Sequence, residues 1–196
     1  KAIRLGVDYV EFDVRTASDG KFYLLHDGTL DGKTDGHGPI ATTPSSVIES
    51  LSAGIKFGYQ FAREGLPTLE EFLTATEGKV NLYFDAKAIS PEALSEAVER
   101  HHMSERTVVY QSPKFLAQLK RINPRIRGLP PLGEAKDLPE LAATLKPYAV
   151  DADWDILSKD TIAQCHAAGV KVFSDALGKH ERIEDYLQAM EWGIDL

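Results

Sequence analysis

The architecture of this 196-residue chain is organised around residues 7–27, which read VDYVEFDVRTASDGKFYLLHD. Hydrophobic and polar residues alternate in the first half of this stretch, a pattern typical of a β-strand with one buried face. Side chains two positions apart on a strand point the same way. We therefore expect Glu11 and Asp13 to project together from one face of the first strand.

A hairpin turn is predicted immediately after this strand. Asp19-Gly20 is a dipeptide that favours a tight two-residue reversal between two strands. In the register that such a turn sets, His26 lies across from Asp13. The sequence thus predicts that two carboxylates and an imidazole share one face of the hairpin.

These residue types together indicate a catalytic metal site. Adjacent carboxylates repel each other, and a hard divalent cation such as Mg²⁺ or Ca²⁺ holds them together through their oxygens. A nearby histidine, which titrates close to neutrality, serves as a general acid or base. The alternative interpretation is an exposed strand face that carries ordinary solvated charges.

The composition is that of an ordinary globular protein, with 43% hydrophobic and 27% charged residues. The formal net charge of −8 argues against a nucleic acid as partner and against an anionic membrane surface. Cys165 is the single cysteine, so no internal disulfide forms. No apolar run approaches the roughly 20 residues that a membrane-spanning helix requires.

Strands and helices alternate along the chain, which predicts a parallel sheet with crossover helices. The predicted strands are residues 7–14, 80–86, 108–111, 126–129, 149–152 and 170–173, with the start of another at 194–196. Because residues 1–6 look like the last turn of a helix, we expect residues 1–196 to be one domain that is incomplete at both ends, with its first βα unit missing. That unit would complete a (β/α)₈ TIM barrel. A doubly wound open sheet is the alternative, although no glycine-rich phosphate loop follows any strand.

Polar side chains mark the carboxyl ends of the predicted strands, where active sites of such barrels lie. Glu11 and Asp13 end the first strand, and Asp85 ends the next parallel one. Lys87 follows on the same face as Asp85. These positions predict a metal site of three carboxylates beside a lysine that binds a phosphate oxygen or balances the acids.

Residues 6–31 resemble the signature of the glycerophosphodiester phosphodiesterases. This family consists of metal-dependent (β/α)₈ barrels with a small insertion after the strand that bears E-x-D. The resemblance extends over almost the whole chain, through an insertion at residues 28–66, the P-T-L-E-E-F helix start, F-D-A-K and Y-Q-S. It implies that Glu11, Asp13 and Asp85 bind the metal.

The resemblance also implies how the other residues act. His26 would be one of two acid–base histidines, and Lys87 would contact the substrate phosphate. The reaction would release glycerol phosphate and an alcohol such as choline or ethanolamine from a small-molecule phosphodiester. Independently of the resemblance, Trp154 at the end of the strand 149–152 is a candidate to cover a quaternary ammonium group through a cation–π contact, with a packing role as the alternative. The oligomeric state stays open.

Three features depart from the family pattern. The opening H-R-G strand, which carries the second histidine, is absent, and Asp85 stands where glutamate is usual. The aromatic-rich motif after the seventh strand reads V-F-S-D-A-L-G. Two alternatives therefore remain: another phospholipase-type phosphodiesterase barrel, whose larger substrates call for exposed apolar rim loops that are few here, or a non-catalytic binding domain that retains the barrel.

Overall fold

The computed structural model describes residues 1–196, which form two compact units, Lys1–Thr107 and Val108–Leu196. The helices are α1 Ala2–Leu5, α2 Ser45–Ile48, α3 Leu69–Thr76, α4 Pro91–Arg100, α5 Pro113–Ile122, α6 Leu138–Thr144, α7 Lys159–Ala167 and α8 Ile183–Trp192. The strands are β1 Tyr9–Thr16, β2 Phe22–Leu24, β3 Asn81–Asp85, β4 Thr107–Tyr110, β5 Arg127–Leu129, β6 Pro131–Leu132, β7 Ala149–Ala152 and β8 Lys171–Phe173. None of the helices combines the length and the apolar character needed to cross a bilayer.

The sheet of the first unit is built on β1, which pairs with β2 in antiparallel and with β3 in parallel orientation. Phe12 and Val14 of β1 are buried, and the ring of Phe12 packs on Phe72 and Phe84 at centroid distances of 4.3 and 4.7 Å. Because side chains alternate along the strand, Glu11 and Asp13 lie on its opposite face. The predicted strand with two carboxylates on one face is confirmed.

The hairpin between β1 and β2 differs from the prediction. Ala17 N–H donates to the Lys21 carbonyl and Gly20 N–H donates to the Ala17 carbonyl, so the turn contains three residues rather than two. Gly20 has φ +89°, the left-handed residue of a three-residue hairpin. The register shifts by one, and Leu25 N–H donates to the Asp13 carbonyl. The prediction that His26 lies directly across from Asp13 is wrong.

The helices that flank β3 begin where local sequence signals predict. Thr68 and Glu71 form a capping box at the start of α3, with reciprocal side-chain and backbone hydrogen bonds. Ser90 accepts a hydrogen bond from Ala93 N–H at the start of α4, and a proline follows the cap. These caps satisfy backbone donors that the first helical turn leaves unpaired.

The second unit contains two sets of parallel strands, β4 with β5 and β6–β7–β8. Its core consists of aliphatic side chains from β7, β8 and the helices, together with the buried thiol of Cys165. Gly169 ends α7 with φ +73°, as predicted. β6 was not predicted from sequence. The predicted strand at 194–196 is instead irregular backbone, whose N–H groups at Asp195 and Leu196 donate to the Val172 carbonyl.

Candidate active site

Three carboxylates from two neighbouring strands converge in the first unit. In the parallel register of β1 and β3, Asp13 is the partner of Asp85, and Glu11 lies two residues earlier on the same face. One oxygen from each of Glu11, Asp13 and Asp85 lies within 4.8 Å of the others. Asp85 is buried, Asp13 is half-buried and Glu11 is exposed. The set therefore opens to solvent on the Glu11 side.

Lys87 lies between two of these carboxylates. Its Nζ donates to Asp85 Oδ2 at 2.5 Å and lies 3.5 Å from Asp13 Oδ1. Burial raises the pKa of Asp85, and the hydrogen bond and charge of Lys87 offset only part of that rise. For Lys87, burial by itself lowers the pKa, but the hydrogen bond and charge of Asp85, helped by Asp13, outweigh burial and raise it. Lys87 is therefore held in its charged form.

The donor set fits a hard divalent cation. When all are ionised, the three carboxylates and the one ammonium group leave two negative charges at the site. Mg²⁺ and Ca²⁺ prefer carboxylate oxygens, and an exposed side leaves room for water or a phosphate oxygen as further ligands. The geometry and the charge both suit Mg²⁺ or Ca²⁺ bound by Glu11, Asp13 and Asp85.

His26 follows β2, with its side chain 66% exposed. Its Nδ1 lies 2.9 Å from Asp27 Oδ1, and this hydrogen bond holds the pKa of Asp27 below its usual value. An ionised carboxylate only accepts hydrogen bonds, so Nδ1 carries the proton and Nε2 is left for exchange with another molecule. When His26 is protonated, its positive charge offsets a small part of the rise that burial causes in the pKa of Asp85. His26 therefore interacts electrostatically with the acidic cluster, although it is not paired with Asp13.

Arg15 fixes the backbone at His26. Its Nε and Nη2 both donate to the His26 carbonyl, at 3.1 and 2.7 Å. Sequence reasoning did not predict this contact. The available signal was the position of Arg15 two residues beyond Asp13, on the strand face that carries the acids.

Trp154 belongs to the second unit. It begins a single 3-10 turn, Trp154–Ile156, directly after Asp153. Its half-buried indole lies against the imidazole of His180, with ring centroids 5.0 Å apart and an interplanar angle of 30°. The predicted contact of Trp154 with a substrate ammonium group stays a prediction.

Comparison with known proteins identifies the chain. The model of the glycerophosphoryl diester phosphodiesterase family matches residues 1–195. The chain belongs to this family. It is therefore an enzyme of the phosphodiesterase type, as its resemblance to the family predicted, and the alternative of a non-catalytic binding domain is not favoured.

Individual relatives agree with this assignment. A glycerophosphodiester phosphodiesterase from Caldanaerobacter subterraneus subsp. tengcongensis is 28% identical, over 100% of this chain and 83% of the relative. The crystal structure of a glycerophosphodiester phosphodiesterase from Agrobacterium tumefaciens str. C58 is also 28% identical and superposes with a TM-score of 0.77, over 88% of this chain and 76% of that one.

A third match concerns the fold alone. The structure of an Oleispira antarctica phosphodiesterase in complex with the product sn-glycerol-3-phosphate gives a TM-score of 0.87 at 22% identity, over 99% of this chain and 81% of that one. The predicted α/β fold of the phosphodiesterase barrels is thus confirmed as the fold that this chain matches.

Proposed function

We propose that this chain hydrolyses glycerophosphodiesters at the acidic cluster of its first unit, with Glu11, Asp13 and Asp85 holding Mg²⁺ or Ca²⁺ and His26 acting as acid–base catalyst. The observation that carries the proposal is the convergence of the three carboxylates to within 4.8 Å of one another, with Lys87 on two of them. We further propose that residues 1–196 belong to one closed (β/α)₈ barrel domain with residues 28–66 as an insertion.

Substrate binding uses the phosphate group. Glu11, Asp13 and Asp85 would hold the divalent cation, which would supply positive charge to stabilise the negative charge of the phosphate. Lys87 Nζ carries three N–H donors, and its contacts with Asp85 and Asp13 use at most two of them. The third can donate to a phosphate oxygen. The Lys87 ammonium group would thereby fix the phosphate beside the acids.

His26 transfers the proton. The nucleophile is water or the neighbouring glycerol hydroxyl; its oxygen bonds to phosphorus while the bond to the departing alcohol oxygen breaks. His26 Nε2 either removes the nucleophile's proton or protonates the departing alkoxide. Asp27 holds the Nδ1 proton in place, and the two Arg15 hydrogen bonds hold the backbone at His26, so both act as positioning residues. With water as nucleophile, the products are glycerol phosphate and the alcohol. With the glycerol hydroxyl, the alcohol leaves first and a cyclic phosphate remains, which water then opens to glycerol phosphate.

Choline is the alcohol for which the chain carries a candidate binding side chain. We propose that the Trp154 indole contacts the quaternary ammonium of glycerophosphocholine, since a tryptophan face is the best aromatic partner for a cation. The indole also packs against the His180 imidazole, with ring centroids 5.0 Å apart.

The experiment is release of glycerol phosphate from glycerophosphocholine, measured with EDTA and after Mg²⁺ or Ca²⁺ is restored. We expect activity only with the cation, and its loss together with cation binding in Asp85→Asn. Asp160→Asn, which makes the same change on the exposed first turn of α7, is the matched control. Absence of product under every condition would exclude glycerophosphocholine as the substrate. Full activity in EDTA would exclude a metal requirement.

A further inference from the structure

An exposed aromatic tip, residues 55–63, protrudes from the first unit within the insertion at 28–66. It reads IKFGYQFAR and forms two consecutive 3-10 turns, Ile55–Phe57 and Tyr59–Phe61. Phe57 is 80% exposed, Tyr59 91% and Phe61 45%. Three large rings within five residues that all face solvent are a feature that soluble surfaces normally avoid.

The tip is an ordered element with its own hydrogen bonds. Ala53 N–H and Gly54 N–H both donate to the Glu64 carbonyl and close its base. Gly54 allows the backbone to approach Phe61 so closely that an added Cβ would lie 2.1 Å from the Phe61 carbonyl oxygen. The folded backbone thus holds the rings outward instead of letting them collapse onto the protein.

An apolar groove lies between the rings. It has a volume of about 380 Å³ and is lined by Ala53, Gly54, Phe57, Phe61 and Glu64. Its walls are almost entirely hydrocarbon, so water inside it finds few hydrogen-bond partners. The groove and the rings around it therefore favour an apolar occupant.

The charge of the tip is opposite in sign to that of the whole chain. Lys56 and Arg63 flank the rings, and residues 55–63 contain no acid, whereas the chain carries a net charge of −8. Glu64 follows at the edge of the groove, and the Lys56 ammonium group also donates to the Asp31 carbonyl. Aromatic rings combined with basic side chains are the composition of protein surfaces that lie in the headgroup region of a bilayer. The local charge complements lipid phosphate groups.

A second copy of the chain fits this surface less well. A stable protein interface needs roughly 20–30 residues from each partner, whereas the tip offers three rings and two cations. We propose that the aromatic tip is a docking surface for a phospholipid bilayer, with Phe57 and Tyr59 inserted among the headgroups and Lys56 and Arg63 at lipid phosphates. This attachment is peripheral, and none of its residues is among the proposed cation ligands or acid–base residues.

Another apolar face occurs on α8, where four exposed side chains recur at helical spacing: Ile183, Tyr186, Leu187 and Met190. Helix α8 contains no basic residue, and its first turn carries the acidic residues Glu184 and Asp185. Nothing in the structure indicates what covers this face. It therefore carries no proposal, but it supplies a matched control.

The test measures binding of the whole chain to vesicles of phosphatidylcholine, with and without phosphatidylglycerol, by co-sedimentation. We expect the double variant Phe57→Ser, Tyr59→Ser to bind on the order of tenfold more weakly per ring removed. The double variant Leu187→Ser, Met190→Ser removes two exposed apolar side chains from another surface and should bind like the unchanged chain. Loss of binding in both variants, or no binding by the unchanged chain, would overturn the proposal.

Two further measurements distinguish membrane docking from misfolding of the variant and from self-association of the chain. Hydrolysis of soluble glycerophosphocholine should be the same in the tip variant as in the unchanged chain, which shows that the variant is folded. If neither the unchanged chain nor the variants hydrolyse this substrate, the proposed function is wrong, whereas the vesicle-binding result still tests the docking surface. Sedimentation velocity without lipid should show no effect of the tip substitutions; a dimer that these substitutions dissociate would assign the tip to self-association instead.

Discussion

Replacement of Lys87 by methionine would separate its electrostatic role from the packing of its side chain. The ammonium group lies 2.5 Å from Asp85 Oδ2 and 3.5 Å from Asp13 Oδ1. Removal of one member of a buried ion pair costs about 3–5 kcal/mol. Because the Lys87 side chain is 27% exposed, solvent screening reduces this figure. We expect the free energy of unfolding in EDTA to fall by about 2–3 kcal/mol.

The same substitution should have a different consequence when the cation is present. A divalent ion replaces the positive charge that Asp85 and Asp13 have lost, and it no longer meets a like charge beside it. We therefore expect Mg²⁺ or Ca²⁺ to bind Lys87→Met about tenfold more tightly and to restore most of the lost stability, while the turnover rate falls because the phosphate contact is gone.

Urea unfolding in EDTA and at saturating cation, together with titration calorimetry, measures these effects. Lys79→Met is the control, since it removes the same charge from an exposed lysine whose side chain donates only to the Ala75 carbonyl. An equal loss of stability with and without cation would refute the reasoning, because it would show that Lys87 and the cation do not share the same carboxylates.

Three other predictions concern single residues. His26→Ala should lower kcat by about 10²–10⁴-fold with cation binding retained, and a near-wild-type rate would falsify its assigned role. Trp154→Leu should raise KM for glycerophosphocholine by up to about tenfold and leave KM for glycerophosphoglycerol, whose head group carries no cation, unchanged. Equal effects on both substrates would mean that Trp154 only packs. Asp195→Asn should lower the free energy of unfolding by about 1–2 kcal/mol near neutral pH. Burial alone raises the pKa of Asp195, but hydrogen bonds from Val172 N–H, His166 and Lys171 outweigh burial and lower the pKa. The contribution of Asp195 to stability is therefore present above its unfolded pKa and is lost as pH falls through its folded pKa. Urea curves of variant and wild type should therefore converge in acid, and a constant difference would contradict the assignment.

The parts of the fold that sequence predicts well are those decided by neighbouring residues. The capping box of Thr68 and Glu71 and the Ser90 cap depend on groups three residues apart. The clustering of Asp85 with the β1 acids also follows from a simple rule, since parallel strands place their carboxyl ends at one edge. That rule needs only the strand order and the side-chain alternation.

The predicted hairpin register is wrong because a residue distant in sequence takes part in the turn. Asp19 Oδ2 accepts hydrogen bonds from the N–H and hydroxyl of Ser45. Gly20 is the residue of this turn with positive φ, whereas a two-residue turn of the Asp-Gly type requires positive φ at both central positions. The same dipeptide therefore serves a three-residue turn. Its local sequence does not distinguish the two, and the difference moves His26 by one position.

The exposed rings of the tip were also not anticipated. In the sequence, Phe57, Tyr59 and Phe61 are interspersed with Gly58 and Gln60. Composition does not reveal whether such rings turn inward or outward. That depends on the closure of the loop by Glu64, which is a tertiary property.

The location of the acidic cluster bears on how the protein is made. Every proposed cation ligand, together with Lys87 and His26, precedes residue 108, so a ribosome delivers the complete donor set before it begins the second compact unit. Metal binding adds its free energy to folding when the ligands are scattered in the unfolded chain. The proposed cation would thus also assist folding of the nascent polypeptide, and its shortage would reduce the yield of newly made protein as well as the activity of existing molecules.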